Sequence, residues 1–419
     1  MSTILEGGEV LVEMKIAVVS RSDSVGGADK AAFQLHQGYL QSGYSSEFLT
    51  GLKTMELWNT RQVGTNYKQL TSKLRNTITR GINIINQDGN PNFHSYNFFP
   101  TEIHKIINKK YRFANLHWLG SNFMSLRDIS KINIPILWTM HDLWPILGAE
   151  HHKNLVPGLG RKNLPYKSTP INNYLYYYKM KMFRQLKMKF IAPTEWIKSE
   201  IENSSFGAIF PVYKIPNPVN LDVFCPRNRM FSRLELGLPE NKYLILVGAF
   251  DFSGRNRFLK GHHHYLRVKE ELLKFDRDCV FVEIGISDIK KIKTLENSIS
   301  FPFIRDSNEL SKIYQAADMA FIPSLIENLS QVGTEAQSSG LPVVAFDVGG
   351  NNEICLPGKS GFIVKPFDTH KVVEKILALK GNQQLRGSMG AAARNFAKEN
   401  WDSSIIVQKY IKTFESFNP

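Results

Sequence analysis

Two glutamates, Glu327 and Glu335, stand eight positions apart around the stretch Asn328-Leu329-Ser330. The run Phe321-Ile322 before them reads as the end of a strand. Glu327 is therefore expected in a strand-to-helix loop, and Glu335 a turn or two into the following helix. In that setting the two carboxylates can face two different parts of one ligand. The amides of Asn328, Leu329 and Ser330 open the helix between them. A helix start presents unpaired N–H groups and the positive end of the dipole, which suits a phosphate. Two unrelated glutamates on a solvated helix would show the same spacing, which is common by chance.

The elements that must position these residues form two series. The first opens with the apolar run Lys15–Ser20, a loop from Ser22 to Gly27, and helical spacing from Ala28 to Ser42 that ends at Gly43. Runs at Phe113–His117, Pro135–Met140 and Phe190–Ala192 follow. The second series consists of Tyr243–Gly248, Val280–Ile284, Met319–Ile322, Pro342–Phe346 and Gly361–Val364, with helical patterns between. Short strands alternating with helices predict βαβ units and parallel sheets. The prolines of Ile215-Pro216-Asn217-Pro218-Val219 exclude helix and central strand, so this reads as a stiff connector. The resulting division is a leader over 1–13, domains over 14–220 and 221–388, and a C-terminal helix over 389–419 that packs back on the first domain. Two doubly wound domains facing each other make a cleft at the carboxyl ends of both sheets, where such sheets bind ligands.

Composition sets the outer limits. The chain has 419 residues, 42% apolar and 21% charged, with a formal net charge of +14. This is an ordinary globular balance, and the excess of cations points to polyanionic partners: nucleic acid, anionic lipid or phosphorylated substrates. No recognisable nucleic-acid-binding module is present, so nucleic acid is not expected. No apolar run reaches the roughly 18 residues that a spanning helix needs. The acidic N-terminal stretch lacks a positive region followed by a long apolar core, which argues against a secretory signal. Cys225, Cys279 and Cys355 stand far apart, which fits neither a disulfide framework nor a zinc cluster and suits a reducing compartment.

Two tempting motifs carry little. Asp276-Arg277-Asp278 spells an Asp-x-Asp but precedes a strand instead of following one. His262-His263-His264 cannot chelate as a triad on a helix, because consecutive side chains point about 100° apart. No metal is expected.

The connected pattern Pro323-Ser324, Glu327-Asn328-Leu329-Ser330, Glu335-Ala336, Gly340-Leu341-Pro342-Val343-Val344 and Asp347-Val348-Gly349-Gly350 with Glu353 resembles the donor-binding half of the retaining glycosyltransferase family 4. Asn217-Pro218, followed by Phe224 and Pro226, is similar to that family's interdomain segment. Trp138-Thr139-Met140-His141-Asp142-Leu143-Trp144-Pro145, with Gly148 and His151, resembles a subgroup of exopolysaccharide assembly. The resemblance spans about residues 15–370 and implies an α/β protein of GT-B fold, two Rossmann-like doubly wound domains facing across a cleft.

The family's roles then fall on particular residues. Glu327 would contact the donor sugar at the reacting face, and Glu335 the nucleotide ribose. Asn328, Leu329 and Ser330 would offer backbone donors to the diphosphate; Asn328 and Ser330 replace glycines common in the family. Without a metal, an arginine and a lysine must stabilise the leaving group. Lys260 before Gly261 fits the lysine. Arg255, five residues upstream, fits the arginine, with Arg257 as its rival. Gly26 and Gly27 would meet the diphosphate from the first domain, unless they form an ordinary turn. His141 would point toward the donor sugar, unless it is a structural histidine at a strand end. His151 and Trp144 would line the acceptor side.

The reaction implied is transfer of a hexose from a nucleoside-diphosphate sugar to a saccharide acceptor, free or lipid-linked, with retention. The nucleotide sugar is a substrate, so no cofactor is expected. The basic aromatic stretch Tyr174–Phe190 adds an anionic membrane surface as a candidate partner, against the plainer reading of a core helix with a solvated basic face. This places the chain in the cytoplasm or at the inner face of the cell membrane. Two other readings are a non-catalytic sugar-binding partner in polysaccharide assembly and a nucleotide-sugar epimerase of the same fold.

Overall fold

A computed structural model describes residues 14–24, 26–54, 58–64, 77–79, 81–82, 86, 94–153, 169–248, 252, 257–286 and 296–417. The leader read over 1–13 lies outside these residues. Two sheets organise the chain. The first contains β1 (Lys15–Ser22), β2 (Ser45–Leu52), β3 (Thr60–Gln62), β4 (Phe113–Leu116), β5 (Ile136–Thr139), β6 (Met188–Ala192) and β7 (Val212–Lys214). Its order is β3-β2-β1-β4-β5-β6-β7. The second contains β8 (Tyr243–Gly248), β9 (Cys279–Ile284), β10 (Ser298–Phe301), β11 (Met319–Ile322), β12 (Val343–Phe346) and β13 (Gly361–Val364), in the order β10-β9-β8-β11-β12-β13.

All the strand pairings are parallel. Parallel strands need helical crossovers, which cover both faces, so central strands such as β4, β5 and β11 are buried at every position. In both sheets the winding reverses beside the first strand: β1 lies between β2 and β4, and β8 between β9 and β11. The loops that leave the carboxyl ends of these strands part to opposite sides and open a crevice. The turn at Gly26–Gly27, His117, His141, Lys260 and Glu327 all lie on loops of this kind.

The C-terminal region differs from the single helix read there. One helix runs Gln383–Trp401 and a second Ser403–Glu415. Asp402 breaks them with φ −56° and ψ 127°, and its carboxylate accepts from the Ser404 amide at 2.8 Å. An Asp before two serines is a capping signal, and it overrides an apolar period that continues through it. The break divides the labour. Ala397 and Trp401 belong to the core of the second domain. Ile406, Val407, Tyr410, Ile411 and Phe414 pack into the core of the first, with Ile16, Tyr39, Phe113 and Ile191. The Tyr410 hydroxyl reaches Thr139 Oγ1 at 2.9 Å, and the Val219 amide of the connector donates to Trp401 O at 2.9 Å.

Phe414 is fully buried, its ring centroid 4.8 Å from that of Phe113. Phe414→Ala should cost about 3–5 kcal/mol of stability in the first domain. Chemical denaturation followed by tryptophan fluorescence measures this; a loss below about 1 kcal/mol would show that the last helix is not part of that core.

Candidate active site

The turn from Pro323 to Asn328 is held by backbone approaches that only glycine permits. A Cβ on Gly261, at φ +68°, would lie 1.7 Å from Pro323 O. On Gly349, at φ +54°, it would lie 2.0 Å from Glu327 O, and on Gly350 2.1 Å from Asn328 O. The Leu325 amide donates to Leu259 O at 2.8 Å, and the Gly350 amide to Glu327 O at 3.0 Å. These contacts bring Lys260 to Glu327, with Nζ 2.5 Å from Oε1. Ser324 Oγ donates to the same oxygen at 2.9 Å.

Asn328 and Ser330 spend their side chains on structure. Asn328 crosses between the domains: Nδ2 donates to Met140 O at 2.9 Å, and Oδ1 accepts from Thr194 Oγ1 at 2.8 Å. Ser330 caps the helix Gln331–Ser338, its Oγ accepting from the Gly333 amide at 3.3 Å. The first amides of that helix have no intrahelical acceptor, as at any helix start. Leu329 turns its side chain into the second core.

Glu335 is 3% exposed. Its Oε2 accepts from Tyr314 Oη at 2.8 Å, and its Oε1 lies 2.5 Å from Lys30 Nζ. Lys30 belongs to the first domain, in the first turn of the helix Gly27–Gln41. That helix starts from Gly26, at φ +99°, and a Cβ on Gly27 would lie 3.7 Å from Gln331 Oε1. The starts of the helices Gly27–Gln41 and Gln331–Ser338 thus meet across the domain boundary. In the sequence only its helix position marks Lys30. Beneath it Asp29, 2% exposed, accepts from Ser20 Oγ at 2.6 Å and from the Ser22 amide at 3.2 Å. Burial raises its carboxyl to about 7, against the pull of those two bonds and Arg21.

On the first-domain wall, His141 Nε2 lies 2.9 Å from His117 Nδ1. Burial lowers His141 to about 4, with Asp142 opposing. Asp142 is saturated: Oδ2 accepts from Trp118 Nε1 at 2.8 Å and pairs with His151 Nδ1 at 2.6 Å, while Oδ1 accepts from the Trp144 amide at 2.9 Å. Burial would raise its carboxyl, but His151 and the other donors prevail and hold it at about 2. His151 Nε2 reaches Ser95 Oγ at 2.8 Å.

The two acceptor-side residues read from the sequence are therefore interior ones. Trp144 is 2% exposed, donates from Nε1 to Ser95 O at 2.7 Å, and sits in the first core. His151 is 3% exposed and stacks on it. Both shape the loop under the cleft instead of lining it. Large rings fill a void that polar loop residues cannot, which spacing alone does not reveal.

Arg255 lies outside the described residues, and Arg257 is exposed. Asp276 and Asp278 pair with Lys380 and Lys242, respectively. Among the described residues no group of three His, Cys, Asp or Glu could hold a metal ion. In the basic aromatic helix Pro170–Phe183, Lys179 faces inward and donates to Trp144 O, Leu147 O and Gly148 O at 2.5–3.1 Å. Lys189 is also buried. The outward face keeps Tyr174, Tyr177, Lys181, Arg184 and Lys187.

Comparison with known proteins supplies an independent line. Residues 231–396 match the family model of glycosyl transferases group 1. The D-inositol 3-phosphate glycosyltransferase of Arthrobacter sp. (strain FB24) is 28% identical over 74% of this chain and 70% of its own length. Sulfoquinovosyl transferase SQD2 of Arabidopsis thaliana is 34% identical over 42% of this chain and 34% of its own length. The D-inositol 3-phosphate glycosyltransferase of Corynebacterium diphtheriae is 30% identical over 43% of its length, so this chain matches less than half of some relatives. Sucrose-phosphate synthase of Thermosynechococcus elongatus superposes with a TM-score of 0.69 at 17% identity, covering 96% of this chain and 99% of that one. Anabaena Alr3699/HepE in complex with UDP-glucose gives a TM-score of 0.63 at 14% identity, covering 96% and 100%. These likenesses establish the two-sheet GT-B fold expected from the sequence.

The Asp29 carboxyl makes a pH test of this wall. Its folded value, about 7, stands above the ordinary 3.8. Between the two, the unfolded chain is ionised and the folded chain keeps its proton, so stability falls as pH rises through this window. Relative to Asp29→Asn, the wild type should lose about 1.4 kcal/mol per pH unit from about pH 4 to 7. Denaturant melts of both proteins across pH measure the difference; a flat difference curve would show that the carboxyl ionises normally.

Proposed function

We infer, from a chain whose residues 231–396 match the model of the group 1 glycosyl transferases and whose two sheets form the GT-B fold, that it transfers a hexose from a nucleoside-diphosphate sugar to a saccharide acceptor with retention. The observation that carries this reading is the pairing of each glutamate with a lysine at the domain boundary: Glu327 with Lys260, and Glu335 with Lys30. A donor carrying both hydroxyls and a diphosphate satisfies both halves of each pair. Its hydroxyls meet the carboxylates, and its phosphates meet the ammonium groups and the facing helix starts.

In this reading Glu335 holds the ribose and Glu327 faces the transferred sugar. The acceptor hydroxyl attacks C1 on the face from which the phosphate departs. The C1–O bond to the phosphate breaks, and the hydroxyl proton passes to the departing phosphate oxygen. Lys260 stabilises the charge gathering on that phosphate, and Glu327 the positive character at C1. Held at about 4, His141 is neutral at physiological pH and serves as a polar contact, not a general acid.

The resemblance of residues 138–151 to the exopolysaccharide subgroup makes a growing surface polysaccharide the acceptor class. A lipid-linked acceptor would bring the chain to a membrane surface. No helix among the described residues is long and apolar enough to cross a membrane. Tyr174 and Tyr177, 61% and 70% exposed, share one helical face with Lys181 and Arg184, the pattern of an interfacial contact.

Calorimetry with UDP-, GDP- and ADP-sugars tests the donor reading. One donor should bind with micromolar affinity, and Glu335→Ala should weaken it about tenfold or more. A folded wild type that binds none of them overturns the assignment. Cosedimentation with vesicles tests the membrane reading. Binding should require anionic lipid, and Lys181→Glu with Arg184→Glu should weaken it by about tenfold or more. Equal binding to neutral and anionic vesicles would remove this face from the account.

A further inference from the structure

His141 has a buried partner that limits what its ring can do. His117, at the carboxyl end of β4, is 3% exposed. Its backbone is fixed: the amide donates to Val19 O at 2.9 Å, and its carbonyl accepts from Trp138 Nε1 at 3.2 Å. Its ring lies 5.2 Å from that of His141 at an interplanar angle of 23°. One hydrogen bond, 2.9 Å between His117 Nδ1 and His141 Nε2, joins the two rings. The remaining nitrogen of His117, Nε2, is buried and has no hydrogen-bond partner among the described residues.

Burial keeps both rings neutral at ordinary pH; His117 lies well below the usual histidine value, and His141 at about 4. Each ring therefore carries one N–H, and the shared bond leaves two arrangements. In one, His117 holds its proton on Nδ1 and donates to His141. Its buried Nε2 is then a bare lone pair, and the proton of His141 sits on Nδ1. In the other, His141 donates from Nε2. His117 must then carry its proton on Nε2, an N–H buried without an acceptor. Orphaned buried N–H groups are rarer in proteins than under-satisfied acceptors, which favours the first arrangement.

We propose that His117 is a positioning residue that locks His141 into the Nδ1–H tautomer, so that His141 meets its substrate as a hydrogen-bond donor. His141 itself is partly exposed, and Nδ1 has no hydrogen-bond partner among the described residues, nor does it count among their buried unpaired atoms. Its place is the domain boundary, next to the Met140 carbonyl that Asn328 grips from the other domain. A donor there suits the oxygen of a sugar hydroxyl or of a phosphate, and it cannot act as a base toward the acceptor. The substrate half of this inference rests on the transferase reading above; the tautomer does not.

The test reads the ring proton directly, by long-range ¹H–¹⁵N NMR on the full-length unliganded protein, with the His141 signals assigned from their loss in His141→Gln. His141 should show a protonated Nδ1 and a bare Nε2. His117→Leu removes the partner. It should mix or reverse the His141 tautomer and lower kcat/KM by about tenfold. His117→Asn keeps an N–H donor near the position of Nδ1 and should restore both the tautomer and the activity to within about threefold. A wild-type His141 protonated on Nε2 overturns the proposal, as does a His117→Leu protein that keeps both its tautomer and its kcat/KM. Failure of the transferase reading would look different: no turnover of any donor by the wild type, with the tautomer as expected.

Discussion

Close backbone approach at the turn from Pro323 to Asn328 is the constraint on which the rest of the site depends. Gly261, Gly349 and Gly350 each sit where a Cβ would fall within 2.1 Å of a carbonyl oxygen of that turn. No side chain fits such a gap, and two of the three glycines also hold positive φ, so the sites exclude other residues twice over. The result is three loops of the second domain sharing one backbone layer. Lys260 meets Glu327 because its neighbour Gly261 is pressed on Pro323. Asn328 is presented to Met140 and Thr194 of the first domain because Gly350 closes behind it.

Charge is distributed on that frame in matched pairs. Glu335 is nearly inaccessible and would be costly to bury ionised without Lys30 and Tyr314. Lys30 comes from the other domain, so the pair exists only while the two domains are together. Glu327 takes its cation from its own domain. One pair thus reports domain closure while the other belongs to a single body. A ligand that replaces Lys30 at Glu335 must supply its own hydrogen bonds to the carboxylate, and the hydroxyls of a ribose can do that. The displaced ammonium then lies beside the starts of two helices, where an anionic group of the same ligand restores the balance.

What the sequence disclosed follows from what drives each element. β1, β5, β8, β11 and β12 contain continuous apolar runs because both their faces are covered, and such runs stand out. β2 leaves no clear apolar run, because Ser45-Ser46-Glu47 and Thr50 interrupt its apolar residues. β3 and β7 have three residues each, and β10 is only half-buried at a sheet edge. The Glu327–Glu335 loop was legible because glycines, prolines and a helix cap leave a dense local signature. Lys30, Tyr314 and His117 were not, since each acts on a partner far away in sequence and carries no local mark. Trp144 and His151 carry the opposite signal: in sequence their rings look like a binding surface, and in the fold they are interior packing.

That packing contains the geometry of another chemistry. Ser95, His151 and Asp142 stand in the order nucleophile, base and orienting carboxylate, with spacings of 2.8 and 2.6 Å. Three features remove it from catalysis. Ser95 is 2% exposed, so no carbonyl can approach its hydroxyl. Its Oγ also accepts from the Ser121 amide at 3.0 Å, which holds the hydroxyl in the loop framework. Asp142 also holds Trp118 Nε1 and the Trp144 amide, so it is a junction of three segments and not the servant of one histidine. A chain of short polar bonds in a dry setting is stiff because every member is satisfied only in one arrangement. Here it fixes the residue that follows His141 in sequence. The same three side chains that would make a hydrolase at a surface become, when buried, the brace that aims a neighbouring ring.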